Sequence, residues 1–568
     1  MDIEKKPSTP TAGPTEARHS EEGIEKLGYT QELKRNRSLL TLLFQTLAIV
    51  AIPYGEGAPL ISAIYGGGPL SIFVGWIVVC VVAECVALSL AELASRYPTS
   101  AGPYYWSFQL APQKAKTIVS FINGWIWLIG NWTITLSVNF GFASMMSGTI
   151  SMYHPDWSAN AWQLLLIFYG ICLASLLICT FANRFLPMVD TICAGWLAVS
   201  ILIIMIALSV KADAGRHSAA YALGHYDTSL SGWAGSPSSS AISLCVPVAG
   251  FAGLFFILPI CFTLPPLQDD IQAPAGQVVP YIFHRVMGSP EGGLGLMFLV
   301  LVVCLFCSIS ISVASSRATW AFARDDAMPL AKVWARIDPR LGVPVWSLVL
   351  QTVVQMLLGL INLGSSSAFT AFASVGVVGL AVSYAIPIGA SLVRRREEVN
   401  KAVFNCGPVL GAIINVVALA WISFELVLFC MPTALPVTAT SMNYASVVFV
   451  GFLMISAVWY LKISQIWSWS HRVESSDTQR MRIRMQYLHR DLPARTPSDA
   501  HRRPRMPTDT HALGYLGHPG LPAQVCPGLS RPDRFVQGVI CRCRPLGPGH
   551  QPRLSARFDF VSLCPAQG

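Results

Sequence analysis

Leu39-Leu-Thr-Leu-Leu-Phe-Gln-Thr-Leu-Ala-Ile-Val-Ala-Ile-Pro-Tyr-Gly-Glu-Gly-Ala-Pro-Leu-Ile-Ser-Ala-Ile-Tyr65 is the stretch that decides the fold class. It carries a single ionisable carboxylate, Glu56, and exceeds the roughly 20 apolar residues that cross a bilayer as a helix. Pro53-Tyr54-Gly55-Glu56-Gly57 interrupts it. Proline removes a backbone donor and the two glycines loosen the chain, so the pattern predicts a helix broken near mid-membrane. The competing reading ends the helix at Ile52 and puts Pro53 onward in an extracellular loop. A break frees N–H and C=O groups for a substrate or coupling ion. An acid at that depth is costly enough to be a functional candidate by default.

Ten more apolar segments follow, at 70–94, 117–149, 162–182, 187–210, 243–265, 293–323, 344–363, 367–393, 408–431 and 441–461. Backbone groups in lipid must bond internally, so the eleven are helices; barrel strands would be shorter and alternate in polarity. Composition agrees. Of 568 residues 53% are hydrophobic and 12% charged, against about 25% charged in a soluble domain. The fold class is all-α, a polytopic membrane protein. The net charge of +9 suggests no nucleic-acid face, because the stretch from Ile463 onward supplies +8 of it, with fifteen Arg and seven acidic residues. The fifteen cysteines are mostly scattered through apolar segments as small apolar residues. All eleven histidines fall outside those segments and no HExxH occurs, so no metal, cofactor or catalytic residue is expected.

Lys and Arg in short loops favour the cytoplasmic side. Lys26, Lys34, Arg35 and Arg37 place the N-terminus inside, and Arg96, Lys114, Lys116 and Arg184 continue a clean alternation. Arg324–Arg340, Arg394–Lys401 and Lys462 also mark inside loops. Between Arg184 and Arg324 the count fails: an even number of crossings is required, and three apolar segments lie there. Either one of them does not span, or a helix is missing near 211–242. The organisation is then a cytoplasmic tail over 1–38, a transmembrane helical domain over 39–462, and an Arg/Pro-rich tail over 463–568. That last segment is too poor in apolar residues to fold. Met1–Arg37 contains no signal-peptide pattern, so no removable leader is expected.

Other ionisable groups at membrane depth are Glu84 and Glu425, expected to hydrogen-bond neighbouring helices, and Glu92 and Arg317, expected to snorkel to the interface. Glu84 and Ser312 join Glu56 as coupling candidates. Ser312 belongs to Ser308, Ser310, Ser312, Ser315 and Ser316, hydroxyls that line a polar path or, more simply, small residues that let helices pack. Trp125, Trp127 and Trp132 either face a cavity, where an aromatic ring attracts a quaternary ammonium, or anchor the interface.

Four blocks carry a family resemblance: Leu27-Gly-Tyr-Thr-Gln-Glu-Leu-Lys-Arg35; Ser89-Leu-Ala-Glu-Leu-Ala-Ser-Arg-Tyr-Pro-Thr-Ser-Ala-Gly-Pro-Tyr-Tyr-Trp106; Ala314-Ser-Ser-Arg-Ala-Thr-Trp-Ala-Phe-Ala-Arg-Asp-Asp-Ala-Met-Pro329; and Pro436-Val-Thr-Ala-Thr-Ser-Met-Asn-Tyr-Ala445. Together they resemble the fungal amino acid/choline permeases of the amino acid–polyamine–organocation superfamily. The resemblance implies twelve helices in a leucine-transporter-type inverted repeat, with substrate held by broken first and sixth helices. Tyr54, Gly55, Glu56, Gly57 and Trp125 would then bind substrate. The sequence departs from the family after Ser231-Gly-Trp233, where the sixth helix should follow and Gly235-Ser-Pro-Ser-Ser-Ser240 leads straight into what resembles the seventh. It departs again in the Arg/Pro-rich extension.

The sequence thus reads as a plasma-membrane secondary transporter with both tails cytoplasmic, importing a small amine or amino acid such as GABA or choline with a proton. Three rivals stand beside it: a nutrient sensor signalling through its tails, an inactive product of a faulty gene model, and an intramembrane enzyme, for which no nucleophile–base or metal constellation is present. Charge placement gives a first prediction: thiol reagents applied outside intact cells leave single cysteines in the N-terminal tail and the 324–340 loop unlabelled. Labelling of that loop would mean an odd number of crossings before it.

Overall fold

The computed structural model describes residues 38–65, 67–154, 156–212, 215–226, 250–264, 277–431, 437 and 442–461. Expectations for both tails and for 227–249 lie outside these residues. The first apolar run folds as three helices, α1 (Leu39–Val50), α2 (Ile52–Gly57) and α3 (Leu60–Tyr65). There follow α4 (Pro69–Arg96), a short α5 (Pro103–Leu110), α6 (Lys116–Tyr153), α7 (Ala161–Phe181) and α8 (Leu186–Lys211). Next come α9 (Ala219–Gly224), α10 (Gly250–Thr263), α11 (Val278–Met287) and α12 (Pro290–Arg324). The last are α13 (Val345–Gly359), α14 (Ser366–Val393), α15 (Leu410–Leu428) and α16 (Ala445–Leu461).

Among the described residues, eight helical segments are long and apolar enough to cross a membrane. Their outward faces show what solvent they expect. Leu166, Leu173, Leu177 and Phe181 on α7, and Met188, Ile192, Val199, Leu202 and Ile206 on α8, are all exposed. Apolar stripes at helical spacing on that scale suit hydrocarbon, not water. The protein is an all-α polytopic membrane protein.

The 38-residue α6 runs through the middle, packing against α5, α7, α12, α13 and α14. Its contact with α14 is backbone to backbone: a Cβ on Gly376 would lie 2.6 Å from the Ile134 nitrogen, and one on Gly130 2.9 Å from the Leu380 nitrogen. Lipid tails supply no hydrophobic drive between helices, so close van der Waals approach through small residues takes its place. Apolar side chains gather in two main clusters. One surrounds α1–α3 with α8, α10, α11 and the first half of α12; the other, with Tyr104, Trp106, Phe121 and Phe322, sits toward the Arg-bearing ends of the helices.

The described part of α10 runs from Gly250 to Thr263, starting where the described residues resume after 249. Its C-terminal end is tied just beyond α8, where the His217 N–H donates to the Phe262 carbonyl at 3.0 Å and the His217 ring meets the Leu264 carbonyl at 2.8 Å. Gly253 lies beside Glu56, near the break in the first helix. Among the described residues, α8 and α12 are long enough to span.

At the Arg-bearing end, the loop after α14 is bound onto α4. Arg396 donates to Glu92 at 2.7 Å and to the Gly411 carbonyl at 3.1 Å, and the Cys406 N–H donates to the same Glu92 oxygen at 2.7 Å. Both charged side chains are 2% exposed or less. Glu92 therefore does not snorkel to the interface as its position near a helix end suggests; a partner 304 residues away supplies the countercharge instead. Arg394 donates to the Gln109 and Ala111 carbonyls, fastening α5 to the same loop. A second pair, Arg96–Glu398 at 2.8 Å, is about one-third exposed.

These two pairs should behave differently. Arg396→Met leaves Glu92 buried without its ion partner and should cost about 3–5 kcal/mol, read as a lower melting temperature of the detergent-solubilised protein. Glu398→Gln should cost no more than about 1 kcal/mol. Arg96, with Lys401, holds the Glu398 carboxyl below its usual range. Its contribution is therefore present above the ordinary carboxylate range and fades as pH falls through the lowered value. Equal losses from the two substitutions would contradict this assignment.

Candidate functional site

The break in the first helix is a single residue. Ala51 has φ +46° and ψ +53°, a left-handed conformation that costs a non-glycine residue about 1–2 kcal/mol. Its N–H closes α1 on the Leu47 carbonyl at 2.9 Å, and its carbonyl accepts from Tyr54 and Gly55 at 2.8 Å each to open α2. The break thus falls two residues ahead of Pro53, and Pro53–Gly57 is itself helical. Proline stands in the first turn of α2, where the missing donor is not needed. Ile52, Pro53, Tyr54, Glu56 and Gly57 are all buried, which excludes the reading of an exposed loop after Ile52.

Glu56 is 3% exposed, and among the described residues neither carboxylate oxygen has a hydrogen-bond partner. Across from it α10 brings its backbone so close at Gly253 that a Cβ there would collide with the Glu56 carboxylate and the Trp76 ring. Ile72, Phe256, Ile257 and Ile260 complete an apolar wall around a void of about 10 Å³. That is space for one water at most. Tyr54 turns away, its hydroxyl donating to the Val138 carbonyl of α6 at 2.6 Å, while Gly57 lies against Val279 of α11.

Tyr54, Gly55, Glu56 and Gly57 thus share one short helix, and Trp125 belongs elsewhere. It packs edge-to-face on Phe322 with centroids 5.6 Å apart, in the clusters around the second core, and its indole N–H is buried without a partner. Trp132 donates to Thr319 at 2.9 Å and Trp127 packs against Tyr104. Glu84 is exposed on the outer face of α4 beside Val81, so it makes no interhelical hydrogen bond of the kind its position suggests. Gly253 and Trp76 were not legible as site residues. The one signal was the pair Gly250 and Gly253 opening an otherwise apolar helix.

The serines of α12 neither line a continuous path nor serve only as small residues. Ser308 donates to Asn139 at 2.6 Å and shares a hydrogen with Ser175 at 2.7 Å; Asn139 in turn donates to Gln355 at 2.8 Å. Ser310 bonds Asp190 at 3.3 Å, and the Ser312 carbonyl accepts from Gln351 at 2.9 Å. These bonds stitch α12 to α6, α7, α8 and α13, each adding about 1 kcal/mol or less in a membrane bundle. No group of three His, Cys, Asp or Glu able to hold a metal occurs among the described residues.

A buried carboxylate is costly unless a positive charge or a proton neutralises it. A sequence model of the amino acid permease family matches residues 38–260 and 238–453. The amino-acid permease BAT1 homolog of Oryza sativa subsp. japonica is 29% identical, aligning over 77% of this chain and 93% of its own length. The polyamine transporter TPO5 of Saccharomyces cerevisiae is 29% identical over 78% of this chain and 77% of its own. The choline transporter of the same yeast is 25% identical over 75% and 81%. These relatives are transporters, not enzymes. This chain belongs to the amino acid permease family, whose members carry small organic substrates across membranes.

Proposed function

We propose that Glu56, at the broken first helix, is the charge around which this permease binds a small amine or amino acid, GABA, choline or a related compound, and imports it with a proton. The observation carrying this reading is a fully buried carboxylate with two unpartnered oxygens beside a backbone break. In that setting the ionised form needs a cation against it, and the neutral form needs a proton. Exchange of the two at one site couples their movements. Tyr54, Gly55 and Gly57 surround it on the same helix, and the serine-rich α12 supplies the supporting frame. The positive-inside rule supports reading the Lys- and Arg-bearing end of the bundle as cytoplasmic, and the proposal takes the plasma membrane as its site.

A second reading is favoured by one specific feature. The void at Glu56, about 10 Å³ and lined by Phe256 and Ile257 of α10, is too small for an amine. The family match also comes in two pieces that overlap on 238–260, so one stretch is claimed from both sides where the family has two helices. On this reading the chain as written is an inactive product that lacks the sixth helix, and transport belongs to the complete fold. The 106-residue stretch beyond Lys462 keeps a sensor role as a third possibility without a structural observation behind it.

Uptake of radiolabelled GABA and choline in a permease-deficient yeast separates these readings. The chain as written should be retained inside the cell and show background uptake. A version encoding the segment between codons 228 and 245 from the mature transcript should reach the surface and transport. In that version Glu56→Gln should still reach the surface and lose at least tenfold in uptake, while Glu56→Asp tests the reach of the side chain. Unchanged uptake in Glu56→Gln across pH would reduce this residue to a packing role. Transport by the chain as written would overturn the second reading.

A further inference from the structure

The described residues contain a second carboxylate in an apolar setting, remote in its surroundings from Glu56. Glu425 lies on α15 and borders a cavity of about 350 Å³ between α4, α6, α14 and α15. Its lining shares no residue with the void at Glu56. The volume falls in the range of small-molecule pockets, roughly 300–1,000 Å³. Glu425 is the one carboxyl side chain on the wall; most of the rest is aliphatic, with Trp106, Tyr384 and Trp421 as the aromatic members. No basic side chain pairs with Glu425 among the described residues, and the nearest donor is the Trp421 indole one turn earlier. The Trp106 indole N–H is already committed to the Tyr97 carbonyl at 3.0 Å, so this ring offers the cavity its apolar surface.

We propose that this cavity binds a small organic monocation with an apolar body, its charge on the Glu425 carboxylate and its body against Trp106, Tyr384 and Trp421. A negative charge among hydrocarbon groups favours a cation over any neutral or anionic guest. Aromatic faces add attraction for ammonium groups. Inorganic cations gain little here, because the wall offers no ring of oxygen ligands to replace a hydration shell. The site goes beyond the Glu56 reading and does not depend on it.

The test uses the full chain in nanodiscs with radiolabelled benzyltrimethylammonium, and its uncharged isostere neopentylbenzene for comparison. Saturable binding of the cation, at least tenfold tighter than the isostere, is expected. Glu425→Gln should weaken cation binding at least tenfold. Ala87→Trp, which fills the cavity from α4 without touching the charge, should abolish it, while Glu291→Gln on the exposed first turn of α12 leaves it unchanged. Equal binding of the isostere would show a greasy cleft with no use for the carboxylate and overturn the proposal. So would cation binding that survives both Glu425→Gln and Ala87→Trp. Should either variant fail to fold, the comparison of the two probes on the unmodified chain still decides.

Discussion

A bilayer core offers the backbone no hydrogen-bond partner, so a helix can be broken there only if the surrounding protein takes up the freed groups. Ala51 is where this chain meets that condition. A left-handed residue ends α1 and starts α2 within one peptide, and both flanking helices reuse its N–H and C=O, so few backbone groups are left open. The cost of the conformation, about 1–2 kcal/mol, is small beside that of several unpaired groups in hydrocarbon. What the break changes most is direction: α2 turns Tyr54 toward α6 and Glu56 toward α4 and α10.

The remaining architecture holds that corner in place. α12 is bonded to four neighbours through serines, an asparagine and two glutamines, and α6 meets α14 through glycines at backbone distance. At the far end, Glu92–Arg396 locks the loop after α14 onto α4. A rigid frame around one unpartnered acid is an arrangement suited to selection by charge. The frame is also what makes α10 conspicuous. At Gly253 the backbone of α10 presses against the acid and leaves a void of only about 10 Å³ beside it.

Most of the helices were legible because hydrocarbon imposes long apolar runs, and runs are a one-dimensional signal. The break was legible only approximately. Proline and glycine mark Pro53–Gly57, yet the residue in the strained conformation is an alanine, which carries no such mark. Pairings across distant segments left no trace: nothing near Glu92 in sequence announces Arg396, and nothing at Trp125 announces its edge-to-face contact with Phe322. The failed crossing count between Arg184 and Arg324 was the exception, a long-range feature visible in local charges. Glu56 itself was legible as a candidate, but its lack of any partner was not, because that depends on what α4 and α10 fail to provide.

The central claim is that the Glu56 carboxyl holds a proton until an organic cation displaces it, and that α10 denies it one in the chain as written. Infrared difference spectroscopy on purified protein tests this most directly, by following the carbonyl stretch of a protonated carboxylic acid as choline or GABA is added. In the form with the sixth helix restored, a band absent from Glu56→Gln should vanish on adding substrate. In the chain as written the same band should persist at saturating substrate. A band that responds identically in both forms, or one that survives Glu56→Gln, would contradict the account.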